Sequence, residues 1–117
     1  MAHYGHNMYQ RWLEAELGLP WENRALWERL SPWNKVERIT TPTMWVGGEK
    51  DWNVPVIGSE HMYMAARRLG VEALLVVYPG EDHSVDQPQH VKDLYDRYLA
   101  WFDRHLPTRS VSTAEVP

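Results

Sequence analysis

The 117-residue chain contains no cysteine. Disulfides, thiolate metal sites and cysteine nucleophiles are thereby excluded. No apolar run approaches the roughly 18 residues that a membrane span needs. The opening residues, Met1-Ala2-His3-Tyr4-Gly5-His6, lack the basic-then-apolar order of a signal peptide. The expectation is no membrane and, by default, a cytoplasmic setting. Basic charge is also in deficit, with 12 Lys and Arg against 16 Asp and Glu, a net charge of −4. Such a chain is a poor match for nucleic acid, because neutralising phosphates takes clustered cations. Phenylalanine is almost missing at one residue, whereas there are seven Trp and six Tyr. The rings to be buried therefore mostly carry a polar handle that needs a partner. Hydrophobic residues at 44% and charged residues at 24% are the usage of an ordinary folded domain, and the length allows one.

Apolar spacing predicts a helix over 7–17, with Met8, Trp12, Leu13 and Leu17 on one side and Gly18 as its stop. A second helix is expected over about 22–30, carrying Leu26, Trp27 and Leu30, then a turn at Ser31-Pro32-Trp33-Asn34 and a linker over 36–41. Thr43-Met44-Trp45-Val46 and Ala73-Leu74-Leu75-Val76-Val77-Tyr78 are continuous apolar runs ended by glycine, the pattern of strands covered on both faces. Between them Pro55 opens a helix that Gly70 closes. Asp86 with Gln89 resembles a capping box for a last helix whose stripe is Val91, Leu94, Tyr95, Tyr98, Phe102 and Leu106. The fold class is α/β. Two apolar strands joined by a helix make a right-handed parallel βαβ unit, here with flanking helices. The order reads as the last third of a larger α/β domain over 1–106, followed by a disordered tail over 107–117. So small a sheet leaves the edge of the first strand exposed, a template for self-association.

In open α/β sheets, functional residues collect at the carboxyl ends of strands. Two loops qualify: Gly47-Gly48-Glu49-Lys50-Asp51-Trp52-Asn53-Val54-Pro55 and Pro79-Gly80-Glu81-Asp82-His83-Ser84. Parallel neighbours set these loops side by side. The interval from Asp51 to His83 is one that a βαβ crossover spans. A buried carboxylate beside a histidine fixes its tautomer and stabilises the imidazolium, which is the acid–base half of a Ser-His-Asp triad. Acid before histidine is the α/β-hydrolase order. Plainer readings stand beside this one. Asp51 could cap the next helix or hold a turn N–H, and His83 could be a surface-loop histidine. Gly47-Gly48-Glu49-Lys50 lacks the spacing of a phosphate loop. Neither His3 with His6 nor His83 with His90 has the i, i+4 spacing of a metal pair, so no metal site is expected. Trp12, Trp21 and Trp27 read as core or interface packing rather than a binding platform. Arg67-Arg68 reads as a complement to a helix dipole.

Thr41-Pro42-Thr43, Gly47-Gly48-Glu49-Lys50-Asp51, Val54-Pro55 and Tyr78-Pro79-Gly80-Glu81 with His83 resemble, in order and spacing, the carboxyl-terminal part of the prolyl oligopeptidase family. Tyr4-Gly5-His6, Leu17-Gly18-Leu19-Pro20-Trp21-Glu22-Asn23 and Leu30-Ser31-Pro32 resemble the segment that follows the nucleophile in some members. The resemblance implies the carboxyl-terminal portion of an α/β-hydrolase fold and a serine-type peptidase acting on peptide substrates without a cofactor. By position, Asp51 is implied as the catalytic acid and His83 as the general base. Asn53 is implied as a polar contact to the substrate backbone, and Val54 as lining of the first specificity pocket.

The departure is the nucleophile. The serines are Ser31, Ser59, Ser84, Ser110 and Ser112, and none lies in a Gly-x-Ser-x-Gly turn; around Ser59 the two glycine positions hold Ile57 and His61. The expectation is a chain with two of three triad members, inactive by itself. The alternatives are an esterase-like α/β-hydrolase, or a non-catalytic fold fragment acting as an interaction protein.

Overall fold

The computed structural model describes residues 10–106. Expectations about Tyr4-Gly5-His6, His3, the helical start at Asn7 and Met8, and the tail over 107–117 lie outside the described residues. The elements run α1 (Gln10–Leu17), α2 (Arg24–Leu30), a 3-10 helix (Pro32–Arg38), β1 (Thr43–Gly48), α3 (Ile57–Arg68), β2 (Ala73–Tyr78) and α4 (Pro88–His105). No helix among the described residues is long and apolar enough to cross a membrane.

β1 and β2 pair in parallel, in a register that sets Thr43 opposite Ala73 and Gly48 opposite Tyr78. The carboxyl ends of the strands are therefore level, and the loops after them leave from the same end of the sheet. α3 makes the crossover and packs on both strands and on the 3-10 helix. Ala66 is fully buried there, a side chain small enough to let helix and sheet approach.

Four expectations need correction. The expected turn at 31–34 and the first half of the linker over 36–41 form one 3-10 helix, Pro32–Arg38, with Pro32 in its first turn. Proline lacks the N–H that would be an orphan at that position. The strands are only partly covered: Gly48 in β1 and Val76 and Tyr78 in β2 are their buried residues. Two strands cannot cover their own outer edges, and among the described residues β1 pairs with β2 alone. The packed side of α4 is Val91, Leu94, Tyr98, Trp101 and His105, while Tyr95, Phe102 and Leu106 are exposed. Of the three tryptophans read as packing, Trp27 is buried and its Nε1–H donates to the Gly18 carbonyl at 3.1 Å. Trp12 and Trp21 are exposed.

Candidate active site

The loop after β1 is shaped by Asp51. Its Oδ1 accepts the Asn53 N–H at 2.8 Å and the Val54 N–H at 2.7 Å. This is the short-range side-chain-to-backbone bonding that aspartate favours in turns. The turn-forming reading of Asp51 is thus correct for one oxygen. The other oxygen does something else: Oδ2 lies 3.0 Å from Nδ1 of His83. The Asp51 side chain is 6% exposed and that of His83 56% exposed. The pair therefore joins a buried carboxylate to a ring open to solvent. Burial by itself would push the Asp51 carboxyl up. The Val54 N–H, the His83 ring and the Asn53 N–H outweigh it and hold the carboxyl below its ordinary value. An ionised Asp51 asks for a proton on Nδ1, which leaves Nε2 as the basic nitrogen of the neutral ring.

The loop after β2 turns at Gly80, whose φ of +73° falls where an L side chain is strained. The two loops are tied main chain to main chain and side chain to main chain. The Glu49 N–H donates to the Tyr78 carbonyl at 3.0 Å, the Lys50 N–H to the Glu81 carbonyl at 2.8 Å, and the Gly80 N–H to Glu49 Oε2 at 2.9 Å. Gly48 allows this approach. A methyl group built on it would overlap the Asp82 carbonyl oxygen and stand 2.5 Å from that of Glu81.

Of the predicted site residues, the structure brings Asp51 and His83 together. Asn53 and Val54 meet Asp51 through main-chain N–H groups, a contribution the motif did not reveal. The Val54 side chain is exposed and lines a cavity of about 760 Å³ whose walls include Trp27, Pro32, Trp33, Trp45 and Met62. No cluster of metal-ligating side chains occurs among the described residues.

Sequence reasoning missed a second carboxylate–histidine pair. Glu81, whose side chain is 6% exposed, accepts from His90 Nδ1 at 2.7 Å. The same carboxylate accepts the Gln87 N–H at 3.0 Å and the Asp86 N–H at 3.1 Å. Burial pushes the Glu81 carboxyl up, and the Asp86 N–H, His90 and the Gln87 N–H more than reverse this, leaving it below its ordinary value. This arrangement replaces the expected Asp86–Gln89 capping box. The residue before α4 is Gln87, it makes no side-chain cap, and its N–H is already taken by Glu81. The one available sequence signal was a glutamate two positions before His83, in a turn otherwise made of small and polar residues. Beside it, the Tyr78 hydroxyl donates to Asp93 Oδ2 at 2.9 Å and ties the end of β2 to α4. Burial and that carboxylate push Tyr78 up to about 12.

Comparisons with known proteins bear on the fold and on the family. The solved acylaminoacyl peptidase of Pyrococcus horikoshii superposes with a TM-score of 0.79 at 22% identity, over 88% of this chain and 18% of that one. A puromycin-hydrolyzing peptidase of Mycobacterium tuberculosis gives 0.75 at 25% identity, over 92% of this chain and 17% of that one. The fold is thus a portion of an α/β-hydrolase. Among curated sequences, dipeptidyl-peptidase 5 of Porphyromonas endodontalis is 32% identical over 120 residues, covering 91% of this chain and 17% of that protein. The acylamino-acid-releasing enzyme of Arabidopsis thaliana is 27% identical over 84 residues, covering 72% of this chain and 11% of that protein. The chain spans less than a fifth of the length of these relatives. The model of the prolyl oligopeptidase family matches residues 1–109, a span that takes in both loops and every helix and strand between them, and the chain belongs to that family.

Proposed function

We propose that Asp51 and His83 are the acid and the general base of a serine-type peptidase, and that the serine they serve lies outside these 117 residues. One observation carries the reading: Asp51, buried and fixed by two main-chain N–H groups, meets Nδ1 of a solvent-open His83 at 3.0 Å. In the proposed reaction His83 Nε2 takes the proton of the serine hydroxyl as its oxygen attacks the peptide carbonyl. The imidazolium then gives that proton to the leaving amine. Asp51 keeps the ring oriented and balances its charge. Water, activated by the same histidine, hydrolyses the acyl-enzyme. No cofactor enters these steps. Asn53 would hold the substrate backbone. Val54 would line the first specificity pocket, a role supported by its exposed side chain at the wall of an apolar cavity.

The test is a chimera in which residues 10–106 replace the matching segment of the Pyrococcus horikoshii enzyme. The expected result is peptide hydrolysis that falls about 10⁶-fold with His83→Ala and about 10⁴-fold with Asp51→Asn. A chimera that keeps its rate with both changes refutes the assignment. The 117-residue chain by itself is expected to take no label from a fluorophosphonate probe. Labelling that a single Ser→Ala change abolishes would locate a nucleophile inside it.

A further inference from the structure

The turn that carries His83 has almost nothing apolar to fold around. From Pro79 to Pro88, Glu81 is the one buried residue, and Asp82, His83 and Ser84 are all exposed. What fixes the turn must therefore be polar. Both oxygens of the Glu81 carboxylate are engaged. Oε2 takes the Asp86 N–H, and Oε1 takes the Gln87 N–H together with His90 Nδ1 in the first turn of α4. The main-chain carbonyl of the same residue receives the Lys50 N–H from the loop of Asp51. Glu81 is thus bonded on one side to the acid's loop and on the other to the exit of the histidine's turn. His83 lies between these anchors, and its own N–H is met only locally, by Asp82 Oδ1 at 2.9 Å.

We propose that Glu81, locked by His90, is a positioning residue that holds the His83 turn so that Nδ1 stays on Asp51. The proposal rests on the reading of Asp51 and His83 given above. An apolar side chain of similar size could fill the space under the turn. It could not accept two main-chain N–H groups and an imidazole N–H, and donors left unmet in a protected place drive the segment toward water. Without the carboxylate, the exit of the turn loosens and His83 drifts from its acceptor.

The test reads the ring itself. In the ¹⁵N-labelled 117-residue chain, long-range ¹H–¹⁵N correlations report which ring nitrogen of neutral His83 carries the proton. Free histidine favours Nε2–H, whereas the bond to Asp51 requires Nδ1–H. The native chain is expected to show mainly Nδ1–H and Asp51→Ala the free-like distribution. Glu81→Ala should move His83 to the distribution of Asp51→Ala while amide exchange in β1, β2 and α4 stays native. Should that variant fail to fold, Glu81→Gln keeps the size but has one acceptor oxygen for three donors, and it should shift the ratio in the same direction. A purely structural role would alter melting and leave the tautomer in place. A folded Glu81→Ala chain with the native tautomer overturns the proposal. So does an unshifted Glu81→Gln chain where the alanine variant does not fold. A native chain already free-like and indifferent to Asp51→Ala overturns the underlying pair, and the proposal with it, by a different signature.

Discussion

Gly48→Ala isolates the close approach of the two loops. Gly48 lies opposite Tyr78 at the end of the parallel ladder, with the main chain of Glu81 and Asp82 directly over it. The added methyl would overlap one carbonyl oxygen and stand 2.5 Å from another, where ordinary contact begins at 3.4 Å. Both obstacles are main chain, so no rotamer change relieves them. The second loop must lift, and the Lys50 N–H bond to the Glu81 carbonyl goes with it. Overpacking of this kind costs about 1–3 kcal/mol and the lost bond about 1 kcal/mol. The reduced entropy of the unfolded alanine chain returns about 0.4–1 kcal/mol. The net expectation is a loss of about 1–3.5 kcal/mol, which lowers the melting temperature by at least roughly 4 °C in a domain this small. Gly47→Ala is the internal control. Its methyl meets only the Val56 side chain, at 3.2 Å, and should cost less than about 1 kcal/mol. Urea unfolding followed by tryptophan fluorescence measures both. Equal stability of the two variants would refute the reasoning, because it would mean that the loops do not lie against each other at Gly48.

The remaining expectations concern pH and association. Asp51 and Glu81 both have folded values below their ordinary 3.8 and 4.5. On acidification the unfolded chain therefore binds protons first, and stability present above those values is lost as pH falls through the lowered folded ones. Melting temperatures measured from pH 6 downward should show this slope, and Asp51→Asn should flatten it; an unchanged slope would count against the Asp51 bonds. Tyr78 works at the other end. Raised from 10.0 to about 12, it contributes stability that is full below about pH 10 and lost as pH rises through 12. Tyr78→Phe should remove that alkaline dependence in a denaturation series. Finally, the edge of β1 that no strand among the described residues pairs with should draw copies of the chain together, so light scattering across a concentration series should show mass rising with concentration. A constant monomer mass with slow amide exchange over 43–46 would mean that the edge is shielded within the chain.

Much of the fold was legible because its signals are local. β2 was bounded by a continuous apolar run and by Pro79-Gly80, and it forms over those same residues. The nearness of the two loops followed from topology: parallel neighbours with level carboxyl ends leave little choice about where their loops go, while the choice of Asp51 and His83 within them came from the family resemblance. The packed side of α4 was less legible. Tyr95, Phe102 and Leu106 satisfy the helical period as well as Trp101 and His105 do, and which set is covered depends on neighbours that periodicity does not describe. The Glu81 clamp was hidden for a related reason. A glutamate in a polar turn looks solvated until His90 and the Asp86 and Gln87 N–H groups are known to converge on it. Asn53 and Val54 were noticed for their side chains, whereas their contribution to the geometry is made by backbone N–H groups that any residue but proline would supply.

Parallel pairing also sets the order in which the pair can come into being. No tight turn joins parallel strands. The contact between Asp51 and His83 closes a separation of 32 residues, whereas each bond within α3 closes over four. Closure entropy grows by about 0.6 kcal/mol per doubling of loop length, so the long contact starts roughly 1.8 kcal/mol behind. Helical turns form in about a microsecond, and non-local sheet pairing is far slower. The histidine therefore finds its carboxylate only when β1, α3 and β2 dock as one event. During synthesis at about 5–20 residues per second, roughly 2–6 s separate the two residues. Of the groups that Asp51 bonds in the folded structure, the Asn53 and Val54 N–H groups follow it by two and three residues, so they are made well before its histidine.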